Sequence, residues 1–244
     1  MLTSVRSLMA ATILAGSAFV AAPAAAQDDI GVEISANAAV VSEYRFRGVD
    51  LSGGDIAIQG GIDLGLPGGF YVGTWGSSID ETSVGYGHTE LDLYGGWATD
   101  LSDTVSFDIG VIAYLYPNAG PGDFDYIEFY SSVGVTVGPA DLALGVAYAP
   151  DQDSLGSTDN FYIYGDASVG VPNTPITLNG HWGYTDGFLT FTNNSKAWDW
   201  SLGADVALGD TLSVGVAYVG VEGRQLPGYQ FADDTVVVSL SASF

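Results

Sequence analysis

From residue 31 onward the chain alternates apolar and polar positions with period two, the signature of strands whose two faces meet different surroundings. The alternation predicts twelve strands, at 31–47, 55–66, 70–80, 88–99, 104–116, 126–137, 142–150, 160–171, 176–186, 197–208, 211–222 and 235–244. In the first, Val32, Ile34, Ala36, Ala38, Val40, Tyr44 and Phe46 share one face, and Glu33, Ser35, Asn37, Glu43, Arg45 and Arg47 the other. In the fourth, Leu91, Leu93 and Trp97 oppose Glu90, Asp92 and Tyr94. In the fifth, Val105, Phe107, Ile109, Val111 and Ala113 oppose Ser106, Asp108 and Tyr114; in the tenth, Trp198, Trp200, Leu202, Val206 and Leu208 oppose Asp199, Ser201 and Asp205. The segments are long enough for tilted membrane strands, which need about 9–11 residues.

The connections alternate in length. Short turns fall at 67–69, 100–103, 138–141, 172–175 and 209–210, and long loops at 48–54, 81–87, 117–125, 151–159, 187–196 and 223–234. In a soluble antiparallel sheet the same alternation would separate core from solvent, but nothing there demands loops of unequal length on the two sides. Bacterial outer-membrane barrels do: even strand number, short periplasmic turns, longer outer loops, apolar residues outside and polar within. The expected fold is all-β, a twelve-stranded antiparallel up-and-down transmembrane β-barrel. Its last strand places Val236, Val238, Leu240, Ala242 and Phe244 on one face and resembles the C-terminal signal read by the barrel-assembly machinery.

Residues 1–26 do not fit this pattern. Arg6 precedes an apolar run, Leu8–Val20, and Ala24-Ala25-Ala26 offers a small-residue cleavage site before Gln27. This predicts a secretory signal peptide, with the barrel at 27–244 and a final location in the bacterial outer membrane. After residue 26 no unbroken apolar stretch of about 18 residues predicts a transmembrane helix.

Composition changes the picture in three ways. There are no cysteines, so there is no disulfide framework and no thiol chemistry. Without the leader, four basic residues (Arg45, Arg47, Lys196 and Arg224) face 29 acidic ones, a balance that disfavours nucleic acid as a partner. The 34 glycines have no phosphate-loop spacing and are expected at bulges or close strand contacts.

One stretch carries a family resemblance. Ser42-x-Tyr44-x-x-Arg47-Gly48, Gly54-Asp55-x-Ala57-x-Gln59-Gly60-Gly61, Gly69-Phe70-Tyr71-x-Gly73-x-Trp75-Gly76-Ser77 and Glu90-Leu91-Asp92-Leu93-Tyr94-Gly95-Gly96 resemble the opening of the TorF-family porins of proteobacterial outer membranes. Beyond Gly96 the similarity is one of rhythm and length. The resemblance implies an outer-membrane barrel more firmly than any substrate, and hints at small osmolyte-type solutes.

The candidate pore-lining residues are the inward-facing charges. Glu90, Asp92, Glu128 and Asp199 are expected toward the outer end, Asp166 near the middle, and Asp63, Asp108 and Asp205 toward the periplasm, with His181 also inward. Rings of acids favour cations. Glu43, Arg45 and Arg47 are expected at the outer mouth, the arginines beside Asp55, Asp233 and Asp234, where lateral pairing is favoured over solute filtering. Tyr44, Phe46, Trp198 and Trp200 are expected in an outer aromatic girdle, and Trp97 at the short-turn end. Twelve strands lie between filled and open barrels, so either kind of lumen is compatible. No catalytic group, metal site or cofactor is indicated: His88 and His181 lack ligand spacing, and Asp151-Gln152-Asp153 with Asp159 is not an EF-hand loop. The expected activity is passive, weakly cation-preferring diffusion of small polar solutes or ions through a monomer whose partners are lipid and lipopolysaccharide. A non-conducting scaffold or adhesion barrel is the alternative, and a lipid-acting barrel enzyme is less favoured.

Overall fold

The computed structural model describes residues 31–225 and 233–244; the predicted leader lies outside them. Among the described residues twelve strands close an antiparallel barrel. They are β1 (Glu33–Val41), β4 (Ala57–Gly65), β5 (Phe70–Ser78), β6 (Thr89–Asp100), β7 (Val105–Leu115), β8 (Tyr126–Val137), β9 (Ala140–Gln152), β10 (Thr158–Gly170), β11 (Ile176–Gly187), β12 (Thr192–Leu208), β13 (Leu212–Gln225) and β14 (Thr235–Ser243). Each pairs with its neighbour in sequence, and β1 closes the ring against β14, with Val41 opposite Ser239 and Asn37 opposite Ser243. Closure leaves no sheet edge, so every strand finds its backbone partners within the wall.

The alternation sorts as expected. Ile58, Ile62, Leu93, Ile109, Leu144, Leu202, Val216 and Leu240 are exposed on the outer surface, while their neighbours Gln59, Asp92, Asp108 and Ser201 are buried inside. Trp198 and Trp182 pack at a tilt outside, their ring centroids 5.0 Å apart, with Trp198 toward the long-loop end. At the other end the indole of Trp97 donates to Gly68 O.

The first predicted strand is shorter than expected. β1 stops at Val41, and the chain then turns into the barrel. Two short strands, β2 (Arg45–Phe46) and β3 (Val49–Asp50), form a hairpin closed by Arg47 and Gly48. Both turn residues have positive φ, 49° and 80°, as a two-residue type I′ turn requires. Arg47 is an uncommon occupant of that conformation, which costs a non-glycine residue roughly 1–2 kcal/mol. Tyr44 and Phe46 therefore do not belong to an outer girdle: they are 1% and 6% exposed, inside the barrel. An alternating segment buries one face equally well against lipid or against a lumen wall, so the pattern alone does not distinguish the two.

Candidate functional site

The inserted hairpin crosses the outer half of the lumen. Its base is tied to the next outer loop, where Asp80 N donates to Leu51 O and Ser83 Oγ to Asp50 O. Tyr44 packs edge-on against Trp75 of β5, and Phe46 against Tyr114 of β7. At the tip the Arg47 guanidinium grips Glu128 of β8 through two bonds, Nη1 to Oε1 at 3.0 Å and Nη2 to Oε2 at 2.6 Å, and lies 4.2 Å above the Tyr162 ring of β10. A Cβ at Gly48 would collide with Val221 of β13 and touch Asp199 of β12. The hairpin thus reaches from the β1 side to the far wall, and glycine is required where it lands.

The wall from β5 to β10 is filled. Inward tyrosines lie across inward glycines on the adjacent strand: Tyr94 opposite Gly73, Tyr71 opposite Gly96, Tyr130 opposite Gly110 and Tyr164 opposite Gly145. A Cβ at any of these glycines would overlap the facing ring. The tyrosine hydroxyls hold the acids. Tyr44 donates to Glu90 at 2.8 Å, Tyr71 to Asp108 at 2.8 Å, Tyr94 to Asp63 and Tyr162 to Asp199 at 3.0 Å. Asp92 is the exception: it is fully buried, and among the described residues neither carboxylate oxygen has a hydrogen-bond partner.

The wall from β12 through β13 and β14 to β1 is lined differently. Its inward side chains include Ser201, Gly203 and Asp205 on β12, Gly215, Ala217 and Val219 on β13, Val237 and Ser239 on β14, and Ala39 and Val41 on β1. None is a tyrosine. About 600 Å³ of unfilled space, counting what opens to solvent, runs between this wall and the hairpin. Glu43 and Arg45 border it above, and Asn179 and Asp205 below.

A model of bacterial proteins of unknown function, named Gcw_chp, matches residues 25–244. The chain belongs to the Gcw_chp family. Solved barrels resemble this Gcw_chp member in fold. The NanC porin aligns over 86% of this chain and 97% of its own, with a TM-score of 0.53 at 9% identity. A structure from work on in-meso crystallisation of membrane proteins aligns over 86% and 83%, with a TM-score of 0.55 at 10% identity. OccAB2 of Acinetobacter baumannii aligns over 89% of this chain and 66% of its own, with a TM-score of 0.50 at 9% identity. No curated protein matches significantly. At these identities the likeness shows a porin-type barrel fold.

Within this Gcw_chp barrel the predicted inward residues on strands all point inward, but they do not form one ring. Glu90, Asp92 and Glu128 are sealed at 0–1% exposure, and Asp108 and Asp199 are nearly so. Asp63, Asp166, His181 and Asp205 keep partial exposure. The His181 ring nitrogens lie 2.6 Å from Asp166 and 2.9 Å from Asp199. Arg45 and Arg47 do not sit beside Asp55, Asp233 and Asp234. Arg45 pairs with Glu43, and Arg47 crosses the lumen to Glu128, because β1 ends before them and the hairpin carries them inward. Lys196 pairs with Asp186 on the adjacent strand at 3.2 Å, while the Arg224 side chain lies outside the described set. Among the described residues no three His, Cys, Asp or Glu side chains are placed to hold a metal ion.

The inserted hairpin and the tyrosine–glycine pairs were missed from sequence. Arg45-Phe46-Arg47-Gly48-Val49-Asp50 does carry a signal for the first, two short extended pairs around a glycine-containing dipeptide. On β5 and β6 the interior tyrosines alternate with glycines, as in Tyr71-Val72-Gly73 and Tyr94-Gly95-Gly96, which is the signal for the second there.

Proposed function

We propose that this protein is a porin-like channel of the bacterial outer membrane that lets small polar solutes or ions diffuse passively, with a weak preference for cations. The observation that carries the proposal is the unfilled strip along β12–β14, bordered by hydroxyls, amides and carboxylates inside a barrel whose outer surface is apolar. The porin-type fold and the resemblance of residues 42–96 to TorF-family porins support it. On this reading the chain is exported with removal of residues 1–26, assembled through the strand ending in Phe244, and held as a monomer among lipid and lipopolysaccharide. Single-channel recording of the refolded protein in a planar bilayer under a salt gradient tests it. Discrete steps with a reversal potential on the cation side are expected; a folded, inserted barrel that never conducts would overturn it.

A second reading, a non-conducting scaffold, is favoured by one observation: the hairpin and the tyrosines occupy much of the outer lumen. The same recording decides between them. A lipid-acting enzyme draws less support, since both ring nitrogens of His181 are engaged inside the lumen by carboxylates.

A further inference from the structure

The inward acids are many, but a solute responds to a charge only where it can come near it. Glu90, Asp92 and Glu128 lie behind tyrosines and the hairpin, and Arg47 neutralises Glu128. Glu43 borders the free space but is paired with Arg45. Asp205 differs. It lines the same space from the wall, its side-chain partner is the neutral amide of Asn179, and among the described residues no cation pairs with it. Ser201 and Ser239 flank it with hydroxyls. The space therefore offers one uncompensated carboxylate amid neutral hydrogen-bonding groups, in a confined region where a charge acts strongly.

We propose that the strip between the inserted hairpin and β12–β14 is a binding path for small polar solutes bearing a positively charged group, and that Asp205, oriented by Asn179, is the residue that recognises that group. This rests on the channel reading and narrows it. Selectivity follows one carboxylate at the bottom of an off-centre path, not the number of acids in the lumen.

The chain has no cysteine, so single thiols can be placed without background. Ser239→Cys puts one in the strip, and Ser132→Cys puts one at mid-strand on β8, in the filled half. Each full-length variant, refolded and checked for barrel formation, is treated with a trimethylammonium-bearing methanethiosulfonate and with its sulfonate-bearing counterpart. At Ser239→Cys the cationic reagent is expected to react roughly fivefold to tenfold faster than the anionic one. Ser132→Cys is expected to react slowly with both. Adding Asp205→Asn, or raising the salt in the Ser239→Cys protein itself, should bring the ratio close to one. Equal rates at the two cysteines, or a ratio that survives both Asp205→Asn and high salt, would overturn the proposal. Labelling reads the strip whether or not current flows. The expected pattern in a barrel that never conducts would uphold the path and reject the channel reading.

Discussion

The wall from β5 to β10 and the wall from β12 around to β1 share a backbone plan and differ in filling. The first carries Tyr71, Tyr94, Tyr130, Tyr162 and Tyr164, laid over glycines, with Tyr71, Tyr94 and Tyr162 bonded to carboxylates. The second carries mainly serine, glycine, alanine and valine beside Asp205, and leaves space. Strand number sets the diameter of a barrel, but here the side-chain volume on each arc decides which part of that diameter is free. The hairpin completes the division by docking its apolar residues and its arginine on the filled side.

Removing the charge that locks this division should have the largest effect. Arg47→Ala leaves Glu128 buried without its partner, a change that costs about 3–5 kcal/mol. The urea midpoint in detergent should fall accordingly, and the conductance step should grow as the hairpin undocks. Replacing Glu128 with Leu in the same protein should restore most of the stability, because no stranded charge remains.

Glycine substitutions sharpen the comparison at smaller scale. At Gly145 an added methyl meets the Tyr164 ring, and overpacking of this kind costs about 1–3 kcal/mol. At Gly215 it meets the movable ends of Asp205 and Ser239, so Gly215→Ala should lower the heat-modification temperature on gels less than Gly145→Ala does. A gain of stability is expected at Asp92. Asp92→Asn removes a buried carboxylate that has no hydrogen-bond partner among the described residues and should raise the unfolding free energy read from urea titration by about 1–2 kcal/mol.

The smallest effect lies outside both walls. In the outer loop the Thr82 hydroxyl, with backbone donors, holds the Asp80 carboxyl below its ordinary range. A depressed carboxyl stabilises its loop above the ordinary carboxylate range, and the contribution fades as pH falls through the lowered value. Thr82→Val should move the Asp80 titration, followed by NMR, back toward ordinary values.

The wall was legible because period two acts residue by residue. The twelve barrel strands fall within a few residues of the segments that alternation marks out, except that β1 ends at Val41, six residues before the predicted 47, and β12 begins at Thr192, five residues before the predicted 197. The lumen was less legible because its occupants come from distant places. Arg47 and Glu128 are 81 residues apart, and nothing local in either segment announces the other. Alternation in residues 42–47 gave Tyr44 and Phe46 a common face correctly and assigned that face to the wrong medium. The inward direction of Asp205 was readable; that no cation pairs with it among the described residues needed the positions of Asn179 and the hairpin.

The long reach of the hairpin also orders assembly. Residues 45–50 follow the first strand, yet their landing sites lie on β8, β10, β12 and β13. Closing so long a loop is entropically unfavourable until the intervening strands are in place. A nascent sheet ending at β8 can offer Glu128 but not the surface of Val221 that receives Gly48. Docking and curling of the sheet are thus a single cooperative event, and the tip of the hairpin acts as a gauge that finds its full set of contacts only in a ring of the correct circumference.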